Sequence, residues 1–367
     1  MNEDFPSIAA RPAPVRVSGR LAWLRRNLFA NLPNTVATLL LLALLLWLAA
    51  NGLRWGLLQA VFAPDADRCQ AARGLGACWG VVVEKGTFIL LGRYPQTQVW
   101  RPIVATLSLL VPVLASCSPR CWKPWLALVW LLGLAVFFAV MGGGFLGLTR
   151  VPTDQWGGLP LTILLSVVSM TLAFPIAVLV ALGRRSSMPA IRTLCVVYIE
   201  LIRGVPLISV LFMASFMLPL FMPVGKSPDV LIRVIVGITL FAAAYMAEIV
   251  RGGLQTIGRG QAEAAASIGL SWWQAQRKVI LPQALAAVVP SIMNNFIALF
   301  KDTSLVTIVS LYELTGALSL ALGSDPNWRP FKIEAYVFIA AIYFGCCFAM
   351  SRYSLRVERR LDRSRSH

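Results

Sequence analysis

The sequence predicts an all-α integral membrane protein with about eight transmembrane helices. Hydrophobic residues make up 58% of the 367-residue chain and charged residues 13%. The mean hydropathy is +0.73, whereas a soluble domain carries about 25% charged residues. The apolar residues gather into runs near the roughly 20 residues a helix needs to cross a hydrocarbon core. Lys and Arg outnumber Asp and Glu, 33 to 16, and concentrate in alternate connecting segments, the pattern that sets membrane orientation.

Taken in order, residues 1–34 form a basic tail with Arg11, Arg16, Arg20, Arg25 and Arg26, closing on a short amphipathic helix. A first span covers about 35–53. It is too long and too apolar for a cleavable signal peptide, and no A-x-A site follows. The loop at about 54–101 is mixed, with Pro64, Gly74, Gly76 and Pro95, and contains Cys69 and Cys78. A second span at 102–116 and a third at 124–146 flank a turn with Arg120 and Lys123. Gly143 and Gly147 supply a small-xxx-small spacing suited to close helix packing. From residue 157 the connections tighten, with spans at 158–182, 193–219, 230–250, 284–300 and 334–352. The seventh run resumes toward 320 after a break. Pro175, Pro206 and Pro290 are tolerated because neighbouring helices satisfy the freed carbonyls. Placing both termini inside puts about twenty cations on the inner side and about a dozen outside.

Composition also excludes chemistry. The single histidine is the last residue, His367, so histidine zinc sites, Ser-His-Asp triads and histidine proton relays are absent. The seven cysteines include no CxxC pair. A net charge of +17 would suggest nucleic acid in a soluble protein; here it reports topology, and no nucleic-acid motif accompanies it. Gly225-Lys226-Ser227 imitates the end of a phosphate-binding loop, but Leu220 stands where the first glycine is required. The chain therefore holds no cofactor and no metal of its own, and is not an enzyme.

One polar interval, Gln261 to Leu285, carries helix signals without the apolarity to span. Ala262 to Ile268 is alanine-rich, and Gly269 suits a left-handed helix end. Ser271 and Gln274 have capping-box spacing, and Pro282 restarts the next helix. The pattern predicts two short helices lying against the membrane as a docking surface.

Glu263-Ala264-Ala265, Gly269, Val279 and Leu281-Pro282 resemble the EAA loop of bacterial ABC importer permeases, with valine where that family has isoleucine. Ala244 to Gly253 resembles the family's AxxAExxRGG signature. Glu200 to Pro206 resembles the RGTP signature of polar amino-acid permeases, with Val205 in place of threonine. Lys301-Asp302-Thr303-Ser304-Leu305 is similar to its KxTSL element. The resemblance covers about 157–353 and implies a five-helix type-I transmembrane domain whose coupling loop spans 251–283. Residues 35–156 then form an N-terminal extension, with three helices and a periplasmic loop at 54–101, and 354–367 a basic tail. Gly92-Arg93-Tyr94-Pro95, Trp100-Arg101-Pro102 and the stretches at 334–338 and 349–354 are similar to the second permease of general L-amino-acid importers.

That resemblance implies a permease subunit in the bacterial inner membrane, with both termini cytoplasmic. Its partners are a separate ABC ATPase holding ATP and magnesium, a second homologous permease, a periplasmic amino-acid-binding protein and membrane lipid. Glu263 is the implied ionic contact to the ATPase, Ala264 and Ala265 allow close packing, Gly269 sets the turn, and Leu281 and Pro282 complete the motif. Lys301, Asp302, Thr303 and Ser304 sit where a broken helix can line a path, or Lys301 and Asp302 pair with each other. Glu248 and Arg251, three apart on one face, can pair; Glu200 braces Arg203, or Arg203 meets the coupled subunit. Cys69 and Cys78 face an oxidising compartment, where they form a disulfide or remain two thiols. The alternative function is an ion-coupled secondary transporter or channel for small polar solutes.

Overall fold

The computed structural model describes residues 19–145, 147–223 and 225–365, with side chains as far as residue 360. Arg11, Arg16 and His367 lie outside the described residues. No β-strand occurs among the described residues; Val61–Cys78 and Gly158–Glu313 are isolated bridges. Two compact units divide the chain, residues 1–80 and 81–367.

In the first unit, α1 (Arg20–Asn27) is followed by α2 (Leu32–Leu53). The Asn31 side chain accepts the Asn34 N–H at 3.0 Å, and Pro33 occupies the first turn, where its missing N–H costs nothing. A π turn extends the apolar helix to Leu32–Leu58, and none of its residues is buried within the chain. Such a leucine surface is stable only against lipid or other helices. Asp65 caps α3 (Ala66–Ala71) by accepting the Asp67 and Arg68 N–H groups. Cys69 and Cys78 form a disulfide across a Cα separation of 5.4 Å. Gly76 and Gly80 pass so close to the Gln59 and Ala63 carbonyls that a Cβ on either would overlap them.

The second unit takes α4 (Gly80–Leu91) from its second residue onward, followed by the hairpin of α5 (Trp100–Ser116) and α6 (Trp125–Gly142). Arg101 is fully buried. It donates to the carbonyls of Val140 (2.7 Å), Thr149 (2.9 Å) and Met141 (3.2 Å), and lies 5.4 Å over the Tyr94 ring. Tyr94 Oη donates to the same Met141 carbonyl at 2.9 Å. The motif residues thus satisfy carbonyls that the end of α6 leaves unpaired, beside the negative end of its dipole.

Then follow α7 (Gly158–Arg184), α8 (Pro189–Arg203), α9 (Leu207–Phe212), α10 (Val230–Thr256), α11 (Arg259–Ser267), α12 (Trp272–Ala275), α13 (Leu281–Asp302), α14 (Leu314–Gly323) and α15 (Lys332–Arg365). The core forms where α7 meets α10. Ala173, Ala177 and Ala181 on one, and Ala243 and Ala247 on the other, are wholly buried. Small side chains repeating every four residues let the two backbones approach, so packing replaces the hydrophobic drive that lipid removes.

Three expectations shift. The second span, α5, has 17 residues, about 26 Å long, short of the roughly 30 Å hydrocarbon core. The span expected over 193–219 is two helices, Pro189–Arg203 and Leu207–Phe221, bent by 104°. Pro206 forces the bend, because a residue preceding proline is excluded from helical geometry and the ring offers no N–H. Among the described residues, six helices, or seven with the bent pair, are therefore long and apolar enough to cross a membrane. The basic tail beginning at 354 continues α15 without a break to Arg365.

Candidate functional site

The polar interval folds as its caps dictate. α11 ends where Gly269 adopts φ 79°; the Leu270 N–H reaches back to Ala265 O at 3.1 Å and the Gly269 N–H to Ala266 O at 2.9 Å. Ser271 and Gln274 form the expected capping box. α12 passes through a π turn, Gln276–Ile280, directly into α13. Pro282 is the second residue beyond that turn, and the helical run continues through it from Trp272 to Val309. Leu281 beside it is half-buried.

The two motif alanines separate. Ala265 is buried, whereas Glu263 and Ala264 are exposed. Ala265 therefore packs α11 onto its own chain, leaving Glu263 and Ala264 to face outward. Beside them Ile268 (75% exposed), Trp272 (54%) and Trp273 (63%) stand clear, the two indoles edge-to-face at 4.7 Å. These anchors were missed in the sequence; the signal was a WW pair in a segment too polar to enter the bilayer. An exposed apolar cluster beside a carboxylate is the composition of a protein-docking surface.

The end of α10 that leads into this loop is tied by charge. Glu248 receives Arg251 Nε at 3.0 and 2.9 Å and Arg184 Nη1 of α7 at 2.9 Å. Arg184 Nη2 also reaches Glu200 of α8 at 3.2 Å. The Glu248–Arg251 pair forms as expected, but the brace for Glu200 comes from Arg184. Arg203 instead lies 5.5 Å over the Tyr245 ring. Helix direction explains the exchange: Arg203 ends α8 at the bend, and its side chain reaches α10.

Next to that ring, a cleft of about 190 Å³ lies between α10 and α13, lined by Phe241, Ala242, Tyr245, Asn295, Ala298, Leu299 and Asp302. The Asn295 Oδ1 is buried with no hydrogen-bond partner among the described residues. Asp302 is the one of the four sequence candidates on this wall. Lys301 is exposed, Ser304 half-buried, and Thr303 Oγ donates to Phe300 O at 2.7 Å. Consecutive helical residues point about 100° apart, and no ion pair joins Lys301 to Asp302 among the described residues. The helix breaks after them, in a 3₁₀ segment Thr303–Val309 ending at left-handed Ser310, φ 63°.

A fully buried carboxylate organises that break. Glu313 caps α14 by accepting the N–H groups of Thr315 (2.8 Å) and Gly316 (3.0 Å), and takes Tyr343 Oη of α15 at 2.7 Å and Thr162 Oγ1 of α7 at 3.3 Å. Glutamate is not among the preferred cap residues, so its position carries no sequence signal.

Residues 173–363 match the family described as binding-protein-dependent transport system inner membrane component. The chain belongs to that family. The permease is 45% identical, across the whole of both chains, to the inner membrane amino-acid ABC transporter permease protein YhdY of Escherichia coli K12. It is 37% identical, over 97% of each chain, to the glutamate/glutamine/aspartate/asparagine transport system permease protein BztC of Rhodobacter capsulatus. A solved amino acid ABC transporter is 32% identical over 54% of the permease and 90% of that chain, with a TM-score of 0.48. The protein is thus a membrane-spanning amino-acid ABC transporter permease, a transport component that works with an ATPase. This replaces the ion-coupled alternative.

Proposed function

We propose that the permease forms half of an amino-acid import path in the bacterial inner membrane and receives its driving force through α11. The observation that carries this is the outward set of Glu263, Ile268, Trp272 and Trp273 on a loop whose second helix is fixed by the Ser271–Gln274 capping box. The partner is a separate ATPase, which holds ATP and magnesium. A second homologous permease completes the path as a heterodimer, and a periplasmic binding protein delivers the amino acid. Both termini lie in the cytoplasm, with the coupling loop. This chain is the second permease of a general L-amino-acid system, and amino acids with acidic and amide side chains, those named for the Rhodobacter relative, are its first candidates.

In this reading the cleft beside α13 contacts the moving substrate. Asp302 accepts the substrate ammonium group, the unpartnered Asn295 Oδ1 offers a further acceptor, and Arg203 over Tyr245 supplies the counter-charge for a carboxylate. Closure of the ATPases pushes α11. Because α11 leads from α10 and the Arg184–Glu248–Arg251 network ties α10 to α7 and α8, the push moves three helices together.

The test is Glu263→Lys in the assembled transporter. Reversing the central charge of a docking surface costs at least about 2 kcal/mol, roughly thirtyfold. Uptake and ATPase co-purification fall by that order while membrane insertion is unchanged. Normal uptake with normal ATPase recovery would sink the assignment.

A further inference from the structure

We propose that a cleft of arginines at the coupling-loop end of the permease binds the phosphate of an anionic phospholipid. The cleft, about 530 Å³, is lined by Arg184, Arg185, Arg192, Val196, Arg251 and Gln255, from α7, the turn after it, α8 and α10. Arg184 and Arg251 are engaged by Glu200 and Glu248. Arg185 donates to the Leu254 carbonyl at 2.9 Å, which satisfies a hydrogen bond but leaves its charge. Arg192 is exposed and has no acidic partner among the described residues. Four guanidinium groups therefore face two carboxylates, and two positive charges stay uncompensated in one concavity. Guanidinium groups bind phosphate oxygens bidentately, and do so more strongly against low-dielectric walls.

Position selects a lipid over a soluble anion. The apolar helices Gly158–Arg184 and Val230–Thr256 end at this cleft, which sets it at headgroup depth, where basic pockets between helices recognise anionic lipid. Leu194, Val197 and Leu201, on the face of α8 turned away from Arg192 and Val196, are exposed at 73, 54 and 63%, which gives the helix beside the cleft a lipid-facing side. A bound headgroup would bridge α7, α8 and α10 immediately before the coupling loop. The proposal needs only that α7 and α10 span the bilayer, so it stands or falls separately from the import reading.

The experiment is native mass spectrometry of the assembled transporter released from nanodiscs of phosphatidylcholine mixed with phosphatidylglycerol. Phosphatidylglycerol should be retained in preference to phosphatidylcholine. Arg192→Gln and Arg185→Gln should each lower that retention about fivefold, the effect of one basic side chain at an anionic surface. Arg192→Lys should restore most of it, and unchanged melting of Arg192→Gln in neutral lipid verifies the fold. Equal retention of the two lipids, or retention untouched by both glutamine variants, overturns the proposal. So does full displacement by inorganic phosphate, which assigns the cleft to a soluble anion. Loss of the ATPase from both glutamine variants with lipid retention intact also overturns it, assigning the cleft to a protein contact.

Discussion

Gly252 and Gly253 close the same helix and stand side by side in one motif, yet the structure gives them opposite consequences. A Cβ on Gly253 would sit 2.6 Å from the Ala284 carbonyl oxygen and 2.8 and 3.2 Å from the Val288 methyls, whereas a Cβ on Gly252 meets nothing within 4 Å. Replacing glycine by alanine in a helix interior stabilises it by about 1 kcal/mol, and that gain applies to both. At Gly253 it is opposed by forcing α13 away from α10, against a backbone carbonyl that cannot turn aside. Overpacking of this kind costs about 1–3 kcal/mol. Gly253→Ala should therefore come out destabilised by up to about 2 kcal/mol, and Gly252→Ala stabilised by up to about 1 kcal/mol. A difference of about 3 kcal/mol at most corresponds to a melting separation of several degrees. The assay is thermal melting of the two purified variants in the same detergent, followed by uptake after reconstitution. Gly253→Ala melting with or above Gly252→Ala would refute the claim that α10 and α13 meet at backbone contact here.

Other consequences are direct. Asp302→Asn should raise the KM for uptake about 10–100-fold, the worth of one charge-assisted hydrogen bond, without changing membrane level; an unchanged KM removes Asp302 from the substrate path. Cys69 and Cys78 should label with maleimide only after reduction, and replacing both by serine should destabilise the closed segment by about 2–3 kcal/mol, read as faster proteolysis between residues 59 and 80. Lys85 and Asp325 pair at 2.7 Å, and the Lys85 hydrogen bond holds the Asp325 carboxyl below its usual range. With the folded value depressed, the contribution is present above the unfolded carboxylate range near pH 4 and is lost as pH falls through the lowered value. Asp325→Asn should accordingly cost up to about 1 kcal/mol at neutral pH and nothing at strongly acid pH, checked by melting at both.

Legibility in the sequence followed the range of the interactions. The caps and joint of the Gln261–Leu285 interval were readable because Gly269, Ser271 and Gln274 act on backbone groups a few residues away. The Glu248–Arg251 pair was readable because a helix repeats. The partner of Glu200 was not, since Arg184 lies on another helix, and neither was Glu313, whose donors come from α7, α14, α15 and Thr307 of the 3₁₀ segment.

Apolar content and run length determined that this protein crosses a membrane, because a bilayer admits backbone only when every peptide group is paired within the segment. Residue types at fixed local spacings carried the resemblance to ABC permeases that the family match bears out. Tertiary packing decided the rest. It bent the 193–219 run at Pro206 and buried Ala265 while exposing Ala264. It turned Asp302 into the cleft and left Lys301 outside, and it gathered four arginines from separate segments around one space. Those outcomes depend on how close two helices come and on which side chain the approach admits. Local sequence carries no record of either until the helices are packed.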